Sequence, residues 1–328
     1  MRHVQKKYTI CIVRQNFFLI LILMLQVFLS NCTTHDIKKI PSIAGEPGIR
    51  RWYKGNTHTH ARFSDRNDKN DIPEIAGWYK KAGYDFLLVS EHNIRVKKKK
   101  VFCHDEATDP GKFLMLCGLE LTRKIHQTAL GIESFIGDER SLQDGVNKTI
   151  AAGGFSILNH PWSAHLKASD FLKTKGLNHL EVFNGNRPKQ TAYCEKLWDK
   201  ILSSPGSRTV YAVASDDNHY SESKVGRGWI MVESPSLTKK DIQESIRQGN
   251  FYATTGIILK DYRVTQDSVN VDTENGSLIS FISLNGIVVS SVRDHAASYH
   301  FRGDEKYIRV KITNEEGMSA WTQPVFIK

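Results

Sequence analysis

Cysteine is scarce in this chain, with five in 328 residues and no C-x-x-C pair among them. That excludes a thiolate zinc ribbon or finger. Cys11 and Cys32 lie near the N-terminus, and the remaining three, Cys103, Cys117 and Cys194, imply no disulfide framework, so the folded part is expected to rely on its core. Long hydrophobic runs are also missing. The longest, Phe17 to Leu29, has thirteen residues broken by Gln26, against about 20 for a membrane span, which excludes a polytopic membrane protein. A strong charge of one sign is absent too. The 45 basic residues exceed the 35 acidic ones by ten, and four of those cations (Arg2, Lys6, Lys7, Arg14) fall in the first 31 residues, leaving +6 beyond them. So small an excess gives no reason to expect a nucleic-acid partner. There is no internal repeat at 20–50 residues, and Lys97 to Lys100 is the only low-complexity tract. What remains is an ordinary globular composition, 40% hydrophobic and 24% charged, in a chain long enough for a large domain and a small one.

The N-terminus has the pattern of an export signal: a basic stretch, then the short apolar run. Leu29-Ser30-Asn31-Cys32 resembles the lipobox of bacterial lipoproteins, with Asn31 where a small residue is usual. The expectation is cleavage before Cys32, lipidation of that cysteine, and a protein anchored outside the cytoplasmic membrane, in the periplasm, at the outer membrane or on the cell surface. Residues 1–31 are then the signal, 32–51 a tether, 52–258 the main domain and 259–328 a C-terminal domain.

From Trp52 onward, short apolar runs alternate with helical periodicity, which predicts parallel strands joined by crossover helices. The strand candidates are Phe86 to Ser90, Phe113 to Cys117, Phe155 to Leu158, Leu180 to Phe183 and Val210 to Ala214. Helices are expected over Ile72 to Ala82, Leu142 to Ala152 and Thr191 to Leu202, each with its own start or stop signal. After Tyr262 the pattern changes. Asn275-Gly276, Asn285-Gly286 and Glu316-Gly317 look like hairpin turns, and Ile308, Val310 and Ile312 alternate with Tyr307, Arg309 and Lys311, as in a small antiparallel, β-sandwich-like domain.

Five places carry candidate chemistry. Asn56-Thr57-His58-Thr59-His60 sets two imidazoles at i and i+2, on one side of an extended segment, with Asp65 in the loop that follows. Ser90-Glu91-His92-Asn93 ends the run Tyr84 to Val89. Leu116-Cys117-Gly118-Leu119-Glu120 reads as another strand end bearing an acid, followed by His126. Leu158-Asn159-His160-Pro161 is the fourth, and Ala214-Ser215-Asp216-Asp217-Asn218-His219 repeats the i, i+2 spacing with a carboxylate and an imidazole. Each alone is explicable as a cap, a turn or a core histidine. Together, at one end of a parallel sheet, they point to a polynuclear metal site. Nitrogen and oxygen donors without thiolate suit zinc, manganese or iron.

This ordered set resembles the polymerase and histidinol phosphatase (PHP) family of metallohydrolases, from Lys54 to His219, and Gly228 to Val232 with Gln248 to Ala253 is similar to that family's distal strand and helix. The resemblance implies an α/β fold, a distorted (β/α)7 TIM-like barrel, carrying two or three divalent ions. It implies that His58, His60, Glu120 and Asp217 hold one ion, with Glu120 bridging to a second held by His126 and His160. Asp65, His92 and His219 would hold a third. Glu91 stands where the family usually has aspartate, and Asp65 where some members have a third histidine. The implied chemistry is hydrolysis by a water shared and ionised between cations, with no serine or cysteine nucleophile.

For the substrate, Asn184 lies just past a strand, and Arg62, Arg95, Arg123, His165 and Arg187 lie in loops after strand ends, where they can meet an anion. A phosphoester, small or glycan-linked, is the leading expectation. The segment after His219 also resembles the carbaryl-hydrolase-like branch, which implies carboxylic ester, carbamate or amide hydrolysis as the alternative. A third reading is an envelope-binding lipoprotein that kept the barrel without catalysis.

Overall fold

The computed structural model describes residues 51–61, 72–95, 103, 105–219 and 221–327. The export signal, Cys32, the tether up to residue 50, Arg62, Asp65 and Lys97 to Lys100 lie outside the described residues.

The chain enters as β1 (Arg51–Asn56) and β2 (Thr59–His60), followed by helix α1 (Ile72–Lys81) and β3 (Phe86–Leu88). Next come β4 (Leu114–Leu116), β5 (Gly118–Leu121), β6 (Gln127–Leu130), α2 (Leu142–Ala151) and β7 (Phe155–Leu158). A short helix α3 (Ala168–Lys173) precedes β8 (His179–Asn184), α4 (Thr191–Ser203), β9 (Tyr211–Ser215) and β10 (Asn218–His219). Strand β11 (Trp229–Ser234), helix α5 (Lys239–Gln248) and β12 (Phe251–Thr254) complete this part. The helices begin where the side chains dictate. Ser141 and Thr238 cap α2 and α5 by accepting the backbone N–H groups of Asp144 and Asp241, and Gly249 ends α5 in the left-handed conformation that glycine adopts without strain.

The fold is mixed α/β. Strands β1, β3 and β4 pair in parallel, as do β7, β8 and β9, while β5 and β6 form an antiparallel hairpin that continues onto β7. Two glycines permit close approaches. A Cβ on Gly55 would fall 1.9 Å from the Phe86 ring, and one on Gly118 would fall 2.5 Å from the Ala129 carbonyl. Gly118 therefore lets β5 lie close against β6, with which it pairs from Gly118 to Leu121. Glu120 consequently lies within a strand rather than at the end of one, which corrects the expectation for that segment.

The C-terminal residues form β13 (Leu259–Val264), β14 (Ser268–Thr273), β15 (Leu278–Ile282), β16 (Val288–Val292), β17 (Ala296–His300), β18 (Tyr307–Thr313), β19 (Ser319–Trp321) and β20 (Val325–Phe326). Strands β13, β14 and β17 make their own sheet. Strands β15, β16, β18, β19 and β20 instead extend the sheet of β1, β3, β4, β11 and β12 to ten strands, through the pairing of β19 with β12. Asn285-Gly286 and Glu316-Gly317 do turn antiparallel pairs, β15 with β16 and β18 with β19. Asn275-Gly276 does not. It carries the chain from one sheet to the other, and β14 and β15 are not partners.

One further expectation is corrected. Cys103 and Cys117 are joined by a disulfide, with Cα atoms 4.1 Å apart, which among the described residues leaves Cys194 free and buried. An odd count of three accommodates one bridge and one leftover thiol. On β18, the residue alternating with the apolar ones is itself buried at Arg309, which is 1% exposed. Its guanidinium donates two hydrogen bonds of 2.7 Å to Asp199 of α4, lies over the Trp198 ring, and shares Asp199 with the Tyr307 hydroxyl. Arg309 is thus paired through Nε and Nη2 with a helix packed against this face of β18, while its buried Nη1 makes no hydrogen bond.

Truncating one partner of a buried ion pair costs about 3–5 kcal/mol, because the other charge is left unpaired. Asp199→Ala should lower unfolding stability in urea by that order, and adding Arg309→Met should recover most of it. A single variant as stable as the parent would contradict the role given to this pair.

Candidate metal centre

The C-terminal ends of the parallel strands deliver most of the donors. His58 and His60 follow β1, His92 follows β3, His160 follows β7, and Asp217 and His219 follow β9. Backbone hydrogen bonds set these segments against one another. Strands β2 and β10 pair in parallel with His60 beside His219, so the two i, i+2 motifs lie side by side, and the Asp217 N–H donates to the His58 carbonyl at 2.9 Å. The Ser90 N–H donates to the Thr59 carbonyl, the Glu120 N–H to the Glu91 carbonyl, and the Asn159 N–H to the His126 carbonyl. The Glu91 side chain accepts the Ala61 N–H, so it holds the backbone next to His60. Glu120 and His126 come from the β5–β6 hairpin instead of a parallel strand end.

The result converges on one buried carboxylate. Glu120 lies 3.3 Å from His58 Nε2, 3.5 Å from His60 Nε2, 2.8 Å from His92 Nδ1, 3.2 Å from His126 Nδ1 and 3.4 Å from His160 Nε2. Asp217 lies 3.3 Å from His58, 3.4 Å from His60 and 3.6 Å from His219. Overlapping groups of donors follow: His58, His60 and Glu120; His58, His160 and Asp217; His92, Glu120 and His126; His60, His92 and His219. Eight of the nine ligands expected from the resemblance are therefore brought together, and Asp65 lies outside the described residues. The donors form one continuous cluster, in which His92 belongs with Glu120 and His126 as much as with His60 and His219.

The donor chemistry fits divalent cations. His58 Nε2 and His60 Nε2 are 3.1 Å apart, a spacing that two lone pairs tolerate only with a proton or a cation between them. Burial drives His60 down to about 3, so its ring is a neutral donor. Burial opposes the charge on His58 as well, but Asp217, Glu181 and Glu120 outweigh it and hold its pKa well above the usual histidine value. Burial would raise Glu120, yet His58 and the hydrogen bonds from His126 and His160 hold it well below the carboxylate range. Asp217 is held down likewise by His58 and His60. His160 (φ 26°) and Asp217 (φ 46°) both adopt left-handed backbone, a strain typical of residues fixed for a purpose.

The suggested substrate contacts fare differently. Asn184 is buried and its amide donates to Glu181 and Asp217, so it serves the cluster and offers no donor from that nitrogen to a substrate. Arg123 is exposed and turns to Asp138, 2.9 Å away. Arg187 is exposed and donates to the Asn186 carbonyl, and Arg95 and His165 are also exposed. The sequence reading assigned no role to two residues in contact with the cluster. Asn159 donates to Glu120 at 2.8 Å, and Glu181 lies 2.7 Å from His58 Nδ1. A lone acid inside the apolar run Leu180-Glu181-Val182-Phe183 was the available signal. Asp216, by contrast, accepts the N–H groups of Gly226, Arg227 and Gly228 and the Tyr79 hydroxyl, so it holds the loop before β11.

No family model matches the chain, and no curated protein matches it. Among solved structures it is similar to a two-domain protein from Bacteroides vulgatus containing a predicted PHP-like metal-dependent phosphoesterase, with 15% identity, 84% of this chain and 95% of the other covered, and a TM-score of 0.45. It is also similar to an amidohydrolase from Chromobacterium violaceum with bound sulfate and no metal, with 13% identity, 50% and 87% covered, and a TM-score of 0.38. Likeness at this level says nothing of the reaction.

Because Asp217, Glu181 and Glu120 raise the His58 pKa well above the usual histidine value, and a ligating nitrogen must be free of its proton, metal binding is expected to be linked to proton release. Titrating metal-free protein with zinc or manganese at pH 7, in two buffers of different ionisation enthalpy, should show net release. The apparent affinity should weaken as pH falls. Binding without proton release and independent of pH would place the metal elsewhere.

Proposed function

We propose that the chain is an exported metal-dependent hydrolase, with a PHP-type barrel over 52–258, an appended β domain over 259–328, and phosphoesters as its substrates. The observation that carries this reading is the Glu120 carboxylate, fully buried and within 3.5 Å of a nitrogen on each of five histidines. So many ionisable donors in one dry place have no structural use that a few apolar residues would not serve better. Divalent ions held there supply a water ionised near neutral pH and positive charge for an oxygen that becomes negative during the reaction.

The residues divide the work. His58, His60, Glu120 and Asp217 are proposed to hold one ion, His126 and His160 a second with Glu120 shared, and His92 and His219 a third together with Asp65. Charge favours an anionic substrate. Two divalent ions would bring four positive charges against Glu120, Asp217 and Glu181, whose oxygens lie within 3.3 Å of His58, and a third ion held with Asp65 would add one more positive charge than negative. A phosphoryl group suits such an excess better than a neutral ester does. The disulfide between Cys103 and Cys117 suits an oxidising compartment and so supports export, while lipidation at Cys32 is proposed from the sequence around it.

Glu120→Ala should lower bound metal by more than one equivalent and cut phosphoester turnover by more than about 100-fold, since loss of an outer-shell partner alone costs roughly 10–100-fold. Across a panel of phosphomonoesters, phosphodiesters, carboxylic esters and carbamates, phosphoesters should turn over fastest, with inorganic phosphate a competitive inhibitor. Rapid carbamate or aryl ester hydrolysis with no phosphate release would reverse the substrate assignment. A fully active, metal-free Glu120→Ala protein would remove the mechanism.

A further inference from the structure

Glu181, on β8, is buried to 1% exposure and does not belong to any of the donor groups around Glu120 and Asp217. Both of its oxygens are nonetheless engaged with the cluster's ligands. Oε1 lies 2.7 Å from His58 Nδ1 and accepts the Ser215 hydroxyl. Oε2 accepts the His160 backbone N–H at 2.6 Å and the Asn184 amide at 3.0 Å, and that same amide nitrogen donates to Asp217 Oδ2 at 3.1 Å. We infer that Glu181 is the positioning residue of the centre: one carboxylate orients His58, His160 and Asp217, three ligands delivered by β1, β7 and β9.

Each contact has a distinct effect. By taking the Nδ1 proton of His58 as a hydrogen-bond donor, Glu181 leaves Nε2 facing Glu120 and Asp217, the side on which a cation would sit. By accepting the His160 N–H it stabilises a left-handed backbone (φ 26°, ψ 63°) that histidine would otherwise leave. Through Asn184 it fixes one Asp217 oxygen, so that Oδ1 is the oxygen turned to the histidines. Glutamine cannot replace it. In one orientation its amide nitrogen would face the His160 N–H and the Asn184 NH2, both of them donors, and in the other it would donate to His58 Nδ1 and leave that ring's proton on Nε2, the side on which a cation would sit.

This inference rests on the metal-centre reading, and the test separates the two. Zinc affinity is measured by chelator competition on the full chain, and nitrogen-15 spectra of the zinc-loaded protein report which histidine nitrogens carry protons. Glu181→Gln should weaken zinc binding about 10–100-fold and disturb the His58 ring-nitrogen pattern, and Glu181→Asp should recover part of both. Asn184→Ala, which spares the contact to His58, should weaken binding less and leave that pattern intact, and it serves if Glu181→Gln fails to fold. Unchanged affinity with an unchanged His58 pattern in Glu181→Gln, or in its place unchanged affinity in Asn184→Ala, would overturn the positioning role while leaving the metal centre standing. A parent protein that takes up no zinc would overturn both.

Discussion

The arrangement depends on keeping a charged carboxylate, Glu120, at zero exposure. Desolvation alone would drive such a group to its neutral form, and only the surrounding imidazoles reverse that tendency. The histidines need the carboxylates just as much. His58 keeps its proton because Asp217, Glu181 and Glu120 surround it. Neither set is stable without the other, so the chain must bring together segments more than 150 residues apart before either charge is satisfied. The backbone bonds that pair β2 with β10, and that join His58 to Asp217, fix this meeting geometrically.

Much of this was legible before the structure. The alternation of apolar runs and helical periodicity placed β7 over the same residues, and β8 and β9 within one residue at each end, because each is a short apolar run bounded by polar or turn residues. The two i, i+2 motifs were legible because a period of two puts both donors on one side whatever the fold. What was not legible depended on contacts across the chain. Glu120 reads as a strand end until β5 is seen to pair with β6 on both sides of it, across the close approach that Gly118 permits. Glu181 sits in an apolar run and shows its purpose only when β1 and β7 bring His58 and His160 to it. Asn184 reads as a residue open to substrate until its amide is seen between two carboxylates.

The same reasoning explains the C-terminal strands. Their hydrophobic alternation is genuine, with Ile308, Val310 and Ile312 fully buried, but the opposite face of β18 is covered by α4. A pattern of alternating residues records which face is apolar, and it cannot record that a helix with an acid at position 199 will cover the other. The pairing of β19 with β12 then makes these strands part of the sheet that carries β1, whose end supplies His58 and His60. Strands β15, β16, β18, β19 and β20 therefore belong to the sheet from whose strand β1 the first donors follow, while β13, β14 and β17 do not.

The central claim is that Glu120 is shared between cations. Crystals of the protein soaked in manganese or zinc, with anomalous scattering collected at the metal edge, test it most directly. At least two anomalous peaks are predicted within bonding distance of the Glu120 carboxylate, one beside His58, His60 and Asp217 and the other beside His126 and His160. A single ion that does not touch Glu120, or peaks confined to the surface, would contradict the account.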